Sequence, residues 1–149
     1  MLNLSNSNYS EAELIEQGWE KITAGGFTAQ AGPFWRIKQD GKTTLGILLE
    51  EKHCNNHIGT SHGGLIMTFA DVGLGAAVAD AMGEERFRCV TTSLQTQFVS
   101  VARVGEFIYC QSELIRQTSQ VLFVRGLIKT GDKIIASAEG VWSVLAKRK

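Results

Sequence analysis

Between Gly63 and Met82 the chain reads GGLIMTFADVGLGAAVADAM, a stretch apolar on nearly every face at helical spacing. A helix of that kind has no side to give to water and is expected to be buried all round. Two carboxylates, Asp71 and Asp80, with Glu84-Glu85-Arg86 directly after them, argue against a membrane span. The cover must therefore come from the rest of the protein. Gly73 and Gly75 imply close approach by neighbouring backbone, at some cost in helix propensity.

The flanking sequence supplies strands for that cover. Phe34 to Gln39 and Thr43 to Glu51 are joined by Asp40-Gly41, a hairpin signal, and Gly32-Pro33 before them is a turn. After Gly83 the period changes to two. From Cys89 to Ser100, Val90, Leu94 and Phe98 fall on one face, and Thr91, Ser93, Gln95 and Gln97 on the other. Phe107 to Arg116, Val121 to Lys129 and Lys133 to Leu145 read as three more strands, the last two joined at Thr130-Gly131-Asp132. Turns this short make an antiparallel sheet. The expected class is α+β: one long central helix wrapped by a curved antiparallel sheet of five to six strands, or covered in part by a second copy. Ser10, with Glu11 and Glu13 after it, starts an N-terminal helix expected to run to about Ala24 and close at Gly25-Gly26. Residues 1–149 are read as a single domain with 1–30 as a helical extension.

Lys+Arg and Asp+Glu balance at 15 each, so no global field points to nucleic acid or an anionic membrane. An anionic substrate would need a local patch. Three scattered cysteines, Cys54, Cys89 and Cys110, suit reduced thiols in a cytoplasmic protein better than a disulfide framework. The first residues lack a basic stretch followed by an apolar one, so no signal peptide is expected.

All three histidines stand in HCNNHIGTSHGG, residues 53 to 64. His53 and His57 are spaced as two ligands on a helical turn, with His62 or Cys54 as a third. Asn55-Asn56 and Gly59 favour a turn there instead, which leaves His53 and His57 in a solvated loop. His62-Gly63-Gly64 stands where the long helix begins. The first amides of a helix have no internal partner, and glycines let a carbonyl approach them, so the terminus can act as an oxyanion hole. The same glycines can equally serve tight packing. Asp71, in mid-helix among apolar neighbours, needs a partner or a purpose. It lies eight residues from Gly63, about 12 Å along a helix axis. One reacting carbon cannot touch both on a single chain. Joint action requires a symmetric oligomer in which Asp71 of one chain faces Gly63 of another.

The pattern Asn56-x-x-Gly59-x-x-His62-Gly63-Gly64, with Asp71 seven residues on, resembles the hotdog-fold acyl-CoA thioesterases. It is most similar to the phenylacetic-acid-pathway (PaaI-like) branch of the 4-hydroxybenzoyl-CoA thioesterase superfamily. GPFWRI, EEKHCN and VSVARVGE are similar too, so the likeness covers roughly residues 30 to 146. It implies a homodimer that forms the sites, commonly paired into a homotetramer, and hydrolysis of an acyl-CoA without metal or organic cofactor. By that likeness Asp71 is the catalytic carboxylate, as general base or nucleophile. The Gly63 N–H polarises the thioester oxygen, Asn56 orients water or substrate, and His62 shapes the loop. Thr91 assists the carboxylate across the interface. Gly64 and Thr92 join the substrate-binding positions, and Arg86, Arg88 and Arg103 are candidates for the CoA phosphates. Val101 stands where the family often has proline, a change expected to touch only the strand edge.

Two rival functions remain at this level. A hydratase or dehydratase on the same fold would use His62 to move a proton. A non-catalytic acyl-CoA binder would have no need of Asp71. Acyl preference is open, since Phe69, Leu74, Val78 and Phe98 can line a tunnel or form core.

Overall fold

The computed structural model describes residues 3–55 and 57–148. Helix α1 (Glu11–Glu16) opens on a capping box. The Glu13 amide donates to the Ser10 hydroxyl, and the Ser10 amide donates to the Glu13 carboxylate, which that amide, with help from the Ser10 side chain, holds below the usual range. The helix is shorter than the sequence suggests. Strand β1 (Glu20–Lys21) follows, and Gly25 starts a second helix, α2 (Gly26–Ala31), where a stop was expected. Gly26 takes a positive φ of 63°, so the Gly-Gly pair redirects the chain into a new element.

Strands β2 (Phe34–Gln39) and β3 (Lys42–Leu48) form the hairpin across Asp40-Gly41, both at positive φ. Helix α3 (Gly63–Met82) has the limits read from the sequence. Strands β4 (Cys89–Phe98), β5 (Phe107–Gln117), β6 (Val121–Thr130) and β7 (Lys133–Val144) complete a fully antiparallel sheet in the order β1-β2-β3-β5-β6-β7-β4. The sheet has seven strands rather than five or six, the extra one being the two-residue β1.

The sheet curls around α3 as a hotdog fold. Ile66, Phe69, Ala70, Leu74 and Val78 pack against Phe34, Ile47, Ile108, Val124 and Trp142. Phe34 and Phe69 stack with ring centroids 6.1 Å apart. Gly73 lies so near β5 that a Cβ there would come within 2.7 Å of the Cys110 Cβ. On the outer side, Trp35 and Phe107 meet Tyr9, Leu14 and Trp19 of the N-terminal segment. The start of β2 is thus buried on both faces, Phe34 inward and Trp35 outward.

Of the two sources of cover for helix α3, its own chain supplies only part, because Leu65, Thr68, Asp71, Val72, Gly75 and Ala79 make a half-buried stripe on its open side. The alternation expected in β4 breaks. A bulge between Thr91 and Ser93 leaves Thr91 facing the helix, on the side where Leu94 packs against the core. Beyond β7, the ten-residue β4 ends the sheet with no strand on its other edge among the described residues.

Candidate active site

The two carboxylates of α3 have different employment. Asp80 accepts from the Thr43 amide at 2.7 Å and the Thr43 hydroxyl at 2.8 Å, with Lys38 Nζ at 3.8 Å, so it clamps the helix end to the β2–β3 hairpin. Asp71 has no cation on it among the described residues. Its Oδ1 accepts one bond, from Thr91 Oγ1 at 2.6 Å. It is half-buried rather than sealed in apolar side chains, and it lines a cavity of about 290 Å³ with Gly75, Val78, Arg86, Thr91 and Trp142. A carboxylate facing an opening, steadied by one hydroxyl and not neutralised, is free to accept a proton or attack an electrophile. Thr91 reaches the Asp71 of its own chain. Cys89 lines the same cavity, but burial pushes its thiol up, with the Arg88 charge pulling only weakly the other way. It is kept protonated and is not an activated nucleophile.

The other half of the expected constellation lies at the start of α3. His62 is the N-cap, and its Nδ1 accepts from the Gly64 amide at 2.8 Å. That bond fills one of the orphan positions of the first turn. The Gly63 amide has no acceptor among the described residues, and the Gly63 and Gly64 backbone is exposed. The exposed free donor at the very start of the helix is therefore Gly63, with the amide of half-buried Leu65 also without an acceptor among the described residues. Asn56 lies outside the described residues. Nothing in the chain brings Gly63 to Asp71, which sit eight residues apart on one straight element.

The loop leading to His62 is pinned by a residue that periodicity and motif did not single out for this purpose. His53 is 2 % exposed, not solvated. Its Nδ1 accepts from the Glu50 amide at 2.9 Å, and its Nε2–H donates to the Ala31 and Gly32 carbonyls at 2.8 and 3.2 Å. Those partners fix the neutral tautomer with hydrogen on Nε2. The His53 carbonyl in turn accepts from the His62 amide at 2.8 Å. Both His53 nitrogens are thus spent on backbone, and no three His, Cys, Asp or Glu side chains converge among the described residues. The metal spacing is not realised, and only His57 fits the solvated-loop reading.

The remaining candidates scatter. Arg86 lines the Asp71 cavity, donating to the Gly83 carbonyl and lying 4.3 Å from the Phe87 ring. Arg88 is tied to the Leu145 carbonyl and to Glu85, whose carboxyl is held low by that bond and by Lys147. Arg103 stands beyond the opposite end of α3, donating to the Ile58 carbonyl. Thr92 sits in the bulge and meets the Ser143 hydroxyl, away from the cavity. Phe69 and Leu74 are core, Val78 is buried and also lines the Asp71 cavity, and Phe98 is 56 % exposed beside Gly63.

Known proteins are similar to this chain in sequence and in fold. The chain is 40 % identical over 113 residues to "Putative esterase PA0474" of Pseudomonas aeruginosa, covering 74 % of this chain and 82 % of that one. The fold superposes on the E. coli PaaI protein from the phenylacetic acid degradation operon with a TM-score of 0.70 at 17 % identity, over 82 % of this chain and 86 % of that one. It superposes on the Bacillus halodurans protein BH2602, solved with CoA, with a TM-score of 0.63 at 23 % identity, over 73 % and 71 %. The family model described as Thioesterase superfamily matches residues 58–136, which include Gly63, Asp71 and Thr91. By this match and the similarity to the Pseudomonas protein, the chain belongs to the thioesterase superfamily.

Proposed function

We propose that the protein hydrolyses acyl-CoA thioesters to the free acid and CoA, at sites shared between two copies of the chain. The observation that carries this reading is Asp71: a carboxylate in the central helix, held at 2.6 Å by Thr91, open to a cavity and free of any cation among the described residues. Its neighbour Asp80 shows what a structural carboxylate in the same helix looks like. The free Gly63 amide at the helix start supplies the donor that an oxyanion needs. The CoA in the Bacillus halodurans protein agrees with the choice of thioester.

In this reading Asp71 of one chain takes a proton from water as the hydroxide adds to the thioester carbon, or attacks that carbon itself and forms an anhydride that water then hydrolyses to the free acid. The thioester oxygen lies against Gly63 N–H of the other chain, with His62 holding the turn through Gly64. Asn56 orients the water or the substrate. The CoA thiolate leaves and takes up a proton. Arg86 and Arg103, each bonded only to a backbone carbonyl, would meet the CoA phosphates more readily than Arg88, which is paired with Glu85. Gly64 serves as a backbone contact to the substrate, whereas Thr92, turned to Ser143, does not reach the cavity.

The test is thiol release from straight-chain and aryl-acetyl CoA esters by chelator-treated wild type and Asp71→Asn. Asparagine keeps the shape and the acceptor for Thr91 while removing the base. Turnover that survives the chelator and falls by about 10²- to 10⁴-fold in the variant is the expected result. A variant as fast as wild type, or no thiol released from any ester, would sink the proposal.

A further inference from the structure

Strand β7 places Trp142 directly across from Thr91, the residue that steadies Asp71. The indole packs in the core around α3 and is 4 % exposed, yet it borders the Asp71 cavity. Gly140, two residues earlier, makes room for it: a Cβ there would come within 2.7 Å of the benzo edge of the ring, at Cζ3. The pyrrole side carries the one polar group of the ring. That N–H has no acceptor among the described residues, but unlike the N–H of Trp19 it is not closed off from water. A buried indole ordinarily gives its N–H a partner. Asp71 has the matching acceptor to spare, because Oδ1 takes the Thr91 hydroxyl and Oδ2 has no partner among the described residues. The cavity of about 290 Å³ thus offers one unused donor and one unused acceptor, the pair that fixes a single water by two hydrogen bonds.

We propose that Trp142 holds the hydrolytic water at Asp71. The water donates one hydrogen to Asp71 Oδ2 and accepts from Trp142 Nε1–H, which leaves its second lone pair for the thioester carbon. As the new C–O bond forms, Asp71 takes the proton. The C–S bond then breaks, and the thiolate leaves with its electron pair and recovers the proton from Asp71. The carboxylate is a general base throughout and is never bonded to the acyl group. This inference rests on the thioesterase reading and adds to it a water-holding residue and a choice between its two routes.

Trp142→Phe keeps a buried ring and removes the N–H. Trp19→Phe is the control, since it takes an equally buried indole N–H out of the N-terminal cluster. Both variants should melt below wild type. In thiol release from straight-chain and aryl-acetyl CoA esters, Trp142→Phe is expected to lose about tenfold or more in kcat with KM within about threefold. Trp19→Phe stays within about twofold of wild type in both constants. A single turnover of wild type in ¹⁸O-water, with enzyme in excess, should label the acid and leave Asp71 unlabelled. That arm uses wild type alone and does not depend on how the variants fold. Label in Asp71 would show that the carboxylate itself attacks, and would overturn this inference alone. So would a Trp142→Phe kcat within about twofold of wild type, or an equal loss in Trp19→Phe. A wild type that releases no thiol from any ester would overturn the thioesterase reading and this inference together.

Discussion

The separation of Gly63 from Asp71 makes a prediction that no single-site variant can test. Eight residues at a rise of 1.5 Å put the two about 12 Å apart along α3. A thioester carbon and its oxygen are separated by little more than a bond length, so one chain cannot serve both. Gly63→Pro removes the amide cleanly. Position 63 is the first residue of the helix, where proline is favoured, and His62 before it has φ −67° and ψ 137°, which proline tolerates in its predecessor. A Cβ at 63 would meet only the Phe98 ring, at 3.7 Å. Each homodimer, Gly63→Pro or Asp71→Asn, is expected to lose about 10²-fold or more in kcat. In a hybrid dimer one site carries both lesions and the other carries neither. Hybrids isolated through two different affinity tags should therefore recover about half of the wild-type activity per dimer. The assay is thiol release on the tandem-purified hybrid beside both parents. Hybrids as inactive as the parents would refute the shared site, because lesions confined within each chain cannot complement.

Two more outcomes follow from groups outside the chemistry. His53→Ala leaves the Glu50 amide and the Ala31 and Gly32 carbonyls without their ring partner in a buried position, and should cost about 3 kcal/mol in urea unfolding; a loss under about 1 kcal/mol would show that the ring does not hold the loop. Burial pushes the Cys110 thiol up to about 12 from an ordinary 9.0, so between those values the folded state binds the proton that the unfolded state has released. Stability should be intact below pH 9 and fall above it, by at most about 1.4 kcal/mol per pH unit from this group. Cys110→Ala should flatten that decline in pH-dependent denaturant melts, and an equal slope in both proteins would contradict the assignment.

The sequence shows most clearly what is decided locally. The limits of α3 follow from His62 at one end and Gly83 at the other, and β2, β3 and β5 to β7 follow from period and turn residues. The N-terminal helix is misjudged because Gly25-Gly26 can end an element or begin one, and only the docking of Trp19 beside Phe107 decides where the chain goes. His53 looks like loop because its partners, Ala31 and Gly32, lie 22 and 21 residues away. Thr91 is found by type, but its direction depends on a bulge that leaves no mark in the alternation. Gly73 and Gly75 are indistinguishable as letters. One abuts Cys110 and the other faces open space, a difference set entirely by where β5 runs. The open stripe on α3 is hidden by the reverse logic: an all-apolar helix tells how much cover it wants, not which chain provides it.

The bare edge of β4 has a bearing on how such a protein is handled. Along the ten residues of β4 the backbone groups that point away from β7, on about every second residue, form a template that will accept another strand, and Val90 and Phe98 on it are 42 % and 56 % exposed. Under the shared-site proposal, pairing of copies along that edge predicts that specific activity per chain falls on dilution through the dissociation constant and returns on reconcentration. Dilution below that point also frees the strand to pair out of register with whatever edge it meets, so loss of turnover and loss of solubility would share one origin.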